Sequence, residues 1–347
     1  MLRVARCTLV AVSITLTLVG CHDATSPPNA NPQSTRPTMS LAAASHMPLA
    51  VDPRETDDAI KNDPRWVSNH FVWLDPTADL RQKLFVHLPG GANPIQVPAS
   101  FQSVAREAAG LGYHVIVLTY PNDWGIEILC GGNPTCEENV RMEIIDGQDR
   151  TAGRLAVTQT HSIYNRLTKL LQYLDTNYPD EGWSQFLNAG EPAWSKMVMS
   201  GFSFGGSEAA MLAKLHRMDR VTLFAAPRDA DATAGGSPPP PPPWVALGAT
   251  PADRYYGLVH NHDPLSPLTL ASWKGPLDML QFGEAVREDL SASPYGGTHM
   301  LLTDRPTGPN GTFPNAHGSV ATDQLTPLGP DGTPLLRDAW RYLLGAP

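Results

Sequence analysis

Positive charge is in short supply in this chain of 347 residues: 25 Lys and Arg stand against 34 Asp and Glu, a formal net charge of −9. A nucleic-acid binder needs a basic face to neutralise phosphates, and electrostatic docking on anionic lipid needs the same, so both classes are disfavoured. A bilayer-spanning hydrophobic run is missing too: the apolar stretch Leu9 to Val19 is too short to cross as a mature helix. Cysteine is scarce, with four in all and no CxxC pair of the kind that holds zinc. No internal repeat is visible. Proline goes the other way, with 34 residues, about twice the usual ~5%. These cluster near the N-terminus and in Pro238–Pro243, and so mark linkers and loops. The length suits two domains, or one α/β domain with a tail, and permits a core that needs no staples.

Arg3 and Arg6 precede the apolar run, which ends in Leu18-Val19-Gly20-Cys21. A basic n-region, a short h-region and small residues at the cut read as a secretory signal peptide. The Leu-Val-Gly-Cys string resembles the bacterial lipobox, in which the cysteine is lipidated and becomes the new N-terminus. Residues 1–20 are therefore expected to be a lipoprotein signal, with Cys21 lipidated and anchoring the exported protein to a bacterial membrane. Residues 21–60, rich in Pro, Ser, Thr and Asn, are expected to be a tether, and 61–347 a single domain. Export leaves Cys130 and Cys136, in CGGNPTC, as a disulfide pair in an oxidising compartment. Closing so small a loop contributes about 2 kcal/mol on a chain-entropy argument.

From residue 65 onward, short apolar runs alternate with helical patterns. Strands are expected within Trp66–Leu74, at Lys83–Leu88, Tyr113–Thr119, Lys196–Ser200, Arg220–Ala225, Tyr255–His260 and His299–Thr303. Helices are expected at Phe101–Leu111, Ser162–Tyr178, Gly205–Met218 and Leu335–Leu344. Such alternation implies an α/β fold whose mainly parallel sheet carries helices on both faces. Pro238–Pro243 is extended polyproline II that cannot join the sheet, and reads as a surface excursion between strands.

The segment that carries chemistry is Gly201-Phe202-Ser203-Phe204-Gly205-Gly206. The apolar KMVMS runs into it and GSEAAMLAKLH leaves it, the strand–turn–helix setting of a nucleophile elbow. A serine on so sharp a turn needs neighbours two residues away that lack a bulky side chain. On this motif and the order of elements over roughly residues 65 to 345, the chain resembles the α/β-hydrolase superfamily. Within it, the likeness is to bacterial secreted serine esterase and lipase-like members with a GxSxGG elbow. Here Phe202 and Phe204 flank the serine, where His and Gln are common, which suggests an apolar wall beside the nucleophile.

The resemblance implies a serine hydrolase of carboxylic esters that works through an acyl-enzyme, with the residues in the order Ser, acid, His. Ser203 is the nucleophile; His317, in the late loop PNAHGSV, is preferred as base over His299 at the start of HMLLTD. His87 and His114, inside strands, take structural roles. Asp263, after the run YYGLVHNH, is preferred as the acid, with Asp229, Asp278 and Asp304 as alternatives. The oxyanion donors are the N–H of Phe204 and, from the HLPGG loop, that of Gly91, with Gly90 and Ala92 close behind. No cofactor and no metal is called for, and the substrate is a small or polymeric ester. Three rivals stay open. One is a metal hydrolase built on His260-Asn261-His262-Asp263; another is acyl transfer to an alcohol or sugar; the third is a surface lipoprotein that binds without catalysing.

Overall fold

The computed structural model describes residues 47–91 and 97–346. Contacts part the chain into Met1–Pro37, outside the described residues, and Thr38–Pro347, to which everything below belongs. The signal peptide, Cys21, the first part of the tether and Ala92 all lie outside the described residues.

In chain order the first elements are β1 (Leu49–Val51), α1 (Pro53–Thr56), β2 (His70–Trp73), β3 (Leu84–Leu88), α2 (Gln102–Gly110) and β4 (His114–Val117). Then come α3 (Ile126–Cys130), α4 (Pro134–Asp146), α5 (Ile163–Asn177) and a small hairpin of β5 (Leu187–Asn188) and β6 (Glu191–Pro192). The second half holds β7 (Met197–Phe202), α6 (Phe204–Leu215), β8 (Arg220–Phe224), β9 (Tyr255–His260) and α7 (Ser266–Lys274). It closes with β10 (Val286–Arg287), β11 (Met300–Thr303), α8 (Ala316–Ser319) and α9 (Arg337–Leu343).

Nine strands form one sheet in the order β1-β2-β4-β3-β7-β8-β9-β11-β10, and only β2 runs against the rest. The central strands are buried throughout: Leu84–Leu88, His114–Val117 and Met197–Phe202 carry no exposed residue, as a sheet covered on both faces requires. Helix α2 packs on β4 and α9 on one face, while α4, α5 and α6 pack together on the other. Helix α5 is held by the stripe Ile163, Leu167, Leu170, Leu171 and Leu174, all buried, and is capped by Ser162 Oγ, which accepts from the N–H of Asn165.

Two expectations need correction. The tether does not reach residue 60. Leu49–Val51 pairs with β2 as the edge strand, α1 packs on α5, and Ile60 is buried. A three-residue edge strand has no periodicity that could mark it in a Pro- and Asp-rich stretch. The sequence reading also passes over α4, which is 13 residues long. Its buried positions include Glu137, Arg141 and Glu143 beside Val140, Ile144 and Ile145, so it shows no apolar stripe. Cys130, the last residue of α3, is disulfide-bonded to Cys136 in the first turn of α4.

The chain leaves β3 toward β4 on one side and leaves β7 toward β8 on the other. The loops after β3 and β7 therefore part in opposite directions. They open a crevice at the carboxyl edge of the sheet, the general place for a site in open parallel sheets.

Candidate active site

Ser203 sits in that crevice at the end of β7, with φ 53° and ψ −119°. Positive φ is rare for a residue with a Cβ and persists only where the surroundings impose it. Here Ser203 N–H donates to the Phe224 carbonyl of β8, and the Ser203 carbonyl starts α6. The elbow is also pressed against its neighbours. A Cβ on Gly201 would lie 2.2 Å from the Gly205 carbonyl oxygen, and one on Gly205 would lie 2.2 Å from that of Leu88. Only glycine fits at either position.

His317, in α8, has Nε2 2.8 Å from Ser203 Oγ and Nδ1 2.6 Å from Asp263 Oδ2. A carboxylate only accepts, so Nδ1 carries the hydrogen and Nε2 is left to accept from the serine hydroxyl. Asp263 follows β9 and is buried, and its Oδ1 accepts from the N–H of Leu265. Burial pushes the Asp263 carboxyl up, but the His317 hydrogen bond, the charge interaction with His317, the Leu265 N–H and Arg228 together hold it below the ordinary value. The Phe202 ring lies 5.0 Å from the His317 ring and closes one side of the imidazole.

The loop after β3 comes up against Phe204. A Cβ on Gly91 would lie 3.0 Å from Phe204 Cγ and 2.4 Å from the Asn122 carbonyl oxygen. Phe204 is the first residue of α6, so its N–H has no acceptor inside the helix. The loop is held from behind: Tyr120 Oη donates to the Pro89 carbonyl (2.6 Å) and Asn122 Nδ2 to the Gly90 carbonyl (2.7 Å). The Tyr120 ring stacks on Phe204 with centroids 6.4 Å apart. A serine hydroxyl beside an imidazole in the accepting tautomer can attack an acyl carbon, and a helix-end N–H such as that of Phe204 can meet the charge that develops on its oxygen.

The alternative acids are engaged elsewhere. Asp229 holds Arg141 in a two-pronged pair, with Nε–Oδ2 2.7 Å and Nη2–Oδ1 2.6 Å. Asp304 pairs with Arg287, and Asp278 accepts from Gln281. His299 is sandwiched between Tyr256 and Phe282, and burial pushes it down to about 4. His87 is enclosed, shares a hydrogen bond with Ser200 Oγ and is pushed down to about 3, while His114 bonds the Glu181 carbonyl. His260 Nδ1 accepts from the N–H of His262, so Nε2 donates to the Arg305 carbonyl, and His262 stacks on Phe313. Among the described residues, no three His, Cys, Asp or Glu side chains are grouped to hold a metal ion.

One charged cluster behind the elbow went unread in the sequence. Arg141 of α4 is buried, binds Glu208 of α6 through Nη1 (2.7 Å) as well as Asp229, and lies over the rings of Phe204 (5.3 Å) and Trp244 (5.1 Å). Burial works against the Arg141 charge, but Asp229 and Glu208 outweigh it and raise its pKa. Burial pushes Glu208 up to about 8 against the pull of Arg141, and pushes neighbouring Glu137 up to about 8 with help from Asp229. The polyproline run passes over the surface and delivers Trp244 into this cluster. No signal in a single sequence ties Arg141 to residues 67 and 88 positions away.

This strand order, with a serine at the turn after β7 and an acid and a histidine on the loops after β9 and β11, is the α/β-hydrolase fold. No protein-family model and no curated protein matches the chain. Similar solved structures include an esterase of Pyrobaculum calidifontis in a monoclinic form, 14% identical, over 74% of this chain and 64% of that one, with a TM-score of 0.27. Another is a bacterial heroin esterase, 16% identical, over 82% of this chain and 91% of that one, with a TM-score of 0.33. The chain thus spans less than two thirds of the length of the first of these.

Proposed function

We propose that this protein is an exported, lipid-anchored serine hydrolase of carboxylic esters. The observation that carries the reading is the hydrogen-bonded row Ser203–His317–Asp263, set under a serine with φ 53°. In this reading Ser203 Oγ attacks the ester carbonyl carbon while His317 Nε2 takes its proton, and Asp263 keeps the imidazole in the accepting tautomer and stabilises the imidazolium. The N–H groups of Phe204 and Gly91 meet the oxyanion. The C–O bond to the alcohol then breaks, and the alcohol leaves with the proton from His317. Water repeats the sequence on the acyl-enzyme, releasing the acid and restoring Ser203. The anchor reading rests on Leu18-Val19-Gly20-Cys21 after the basic and apolar leader.

The test is a p-nitrophenyl ester chain-length series on wild type, Ser203→Ala, His317→Ala and the double variant. Each single change is expected to lower kcat by about 10^6-fold, and the double by little more, because the two act as a unit. Full activity in Ser203→Ala would sink the hydrolase reading. Product transferred to an added alcohol in place of free acid would replace it with acyl transfer. For the anchor, radiolabelled palmitate is expected in wild type and lost in Cys21→Ala; label that persists removes the anchor.

A further inference from the structure

The direction of the Phe204 N–H is set by one peptide bond, that between Ser203 and Phe204. Ser203 has φ 53° and ψ −119°, and its ψ turns the plane of that peptide. A backbone value this rare is not held by the residue itself, so its neighbours must impose it. Two neighbours are placed to do so: α6, which begins at Phe204, and β8, whose Phe224 carbonyl accepts the Ser203 N–H at 2.9 Å.

Arg141 of α4 joins these two neighbours. Its Nη1 donates to Glu208, one turn along α6 from Phe204, and its guanidinium lies over the Phe204 ring at 5.3 Å. Its Nε and Nη2 donate to Asp229, in the loop after β8, at 2.7 and 2.6 Å. That loop already touches the elbow, since a Cβ on Gly206 would lie 2.4 Å from the Ala226 Cβ. One planar cation thus grips α6 at two points and the loop after β8 at a third. Its donors sit in a fixed fork, so the grip is directional where apolar packing would slide. The Phe204 ring also stacks on Tyr120, whose hydroxyl donates to the Pro89 carbonyl, which extends the grip to the loop that carries Gly91.

Stability alone does not call for this arrangement. The pair is fully enclosed, with the Arg141 side chain 1% and that of Glu208 0% exposed, and it carries a desolvation cost that well-packed apolar residues would avoid. What the charges supply is placement. A donor has to sit within about 0.5 Å of its productive position, and an error of about 1 Å costs about 10²-fold in rate.

We infer that Arg141 is a positioning residue for the oxyanion: by clamping α6 to the loop after β8, it fixes where the Phe204 N–H points. The inference rests on the hydrolase reading and adds a residue to it. Arg141 is itself too enclosed to meet a substrate, so it acts through Phe204. Its effect belongs to the transition state, where charge gathers on the oxygen, and therefore to kcat more than to KM.

The test combines kinetics on p-nitrophenyl butyrate with thermal melts of three variants. Arg141→Met is expected to lower kcat by about 10- to 10²-fold, with KM changed by less than about threefold. The triple variant Arg141→Met, Glu208→Gln, Asp229→Asn removes the three charges together. Its Tm is expected to return most of the way to wild type while kcat stays low. Leu170→Ala opens a cavity under α5, and is expected to lower Tm while kcat stays within about twofold of wild type. A triple variant with wild-type kcat would overturn the positioning role and leave the hydrolase reading intact. So would a Leu170→Ala protein that loses kcat in step with Arg141→Met, or an Arg141→Met loss that falls on KM alone. Undiminished hydrolysis by Ser203→Ala would instead overturn the hydrolase reading, whatever Arg141 does.

Discussion

Arg141→Met removes one charge from the cluster behind the elbow and keeps much of the side chain's apolar bulk. In the folded protein this cation makes three side-chain hydrogen bonds of 2.6–2.7 Å to Glu208 and Asp229, with all three groups buried. Without it, two carboxylates are left in a medium that solvates them poorly. Breaking a buried pair from one side costs about 3–5 kcal/mol. At roughly 2–4 °C per kcal/mol for a domain near this size, Tm should fall by about 6–20 °C. The loss should also depend on pH. A carboxyl such as Glu208, already raised to about 8, rises further when its cation is gone, so the folded state binds protons that the unfolded state has released. Stability then falls as pH rises, and the gap between wild type and Arg141→Met should be wider at about pH 8 than at about pH 5.5. Urea unfolding followed by tryptophan fluorescence at both pH values measures it. Should Arg141→Met fail to fold, the triple variant Arg141→Met, Glu208→Gln, Asp229→Asn, which removes the charges together, should recover a folded protein. A gap below about 1 kcal/mol, or one that is the same at both pH values, would refute the reasoning.

The remaining predictions concern the acid, the disulfide and acid stability. Asp263→Asn should lower kcat by about 10^4-fold, whereas Asp229→Asn should chiefly lower Tm; a crippling Asp229→Asn beside a silent Asp263→Asn would reverse the assignment. Replacing Cys130 and Cys136 together by Ser should cost about 2 kcal/mol in denaturant unfolding, and mass spectrometry that finds both thiols free in the exported protein would show that the bond does not form there. His87 is pushed down to about 3 by burial, so it stays neutral in the fold at pH values where the unfolded chain protonates it. Stability from this residue is present above the ordinary histidine pKa and is lost as pH falls, by about 2 kcal/mol between pH 7 and pH 5. His87→Gln should flatten that slope in thermal melts, and an unchanged slope would count against it.

Much of the architecture was legible in the chain itself, because strand and helix periods and the turn residues between them are local. KMVMS, the glycines and GSEAAMLAKLH announce a strand, a turn and a helix within about twenty residues, and β7, Ser203 and α6 follow in that order. The late loop with His317 and the strand end before Asp263 were equally visible. What the chain alone left open was which acid meets the histidine. Asp229 and Asp263 both follow a strand of the same sheet, and nothing local separates them. Only the packed structure shows that α4 brings Arg141 to Asp229 while the loop after β11 brings His317 to Asp263. The same holds for α4, whose buried charges hide its period, and for β1, too short to have one. Backbone period is a property of neighbours in sequence; a partner for a buried charge is a property of neighbours in space.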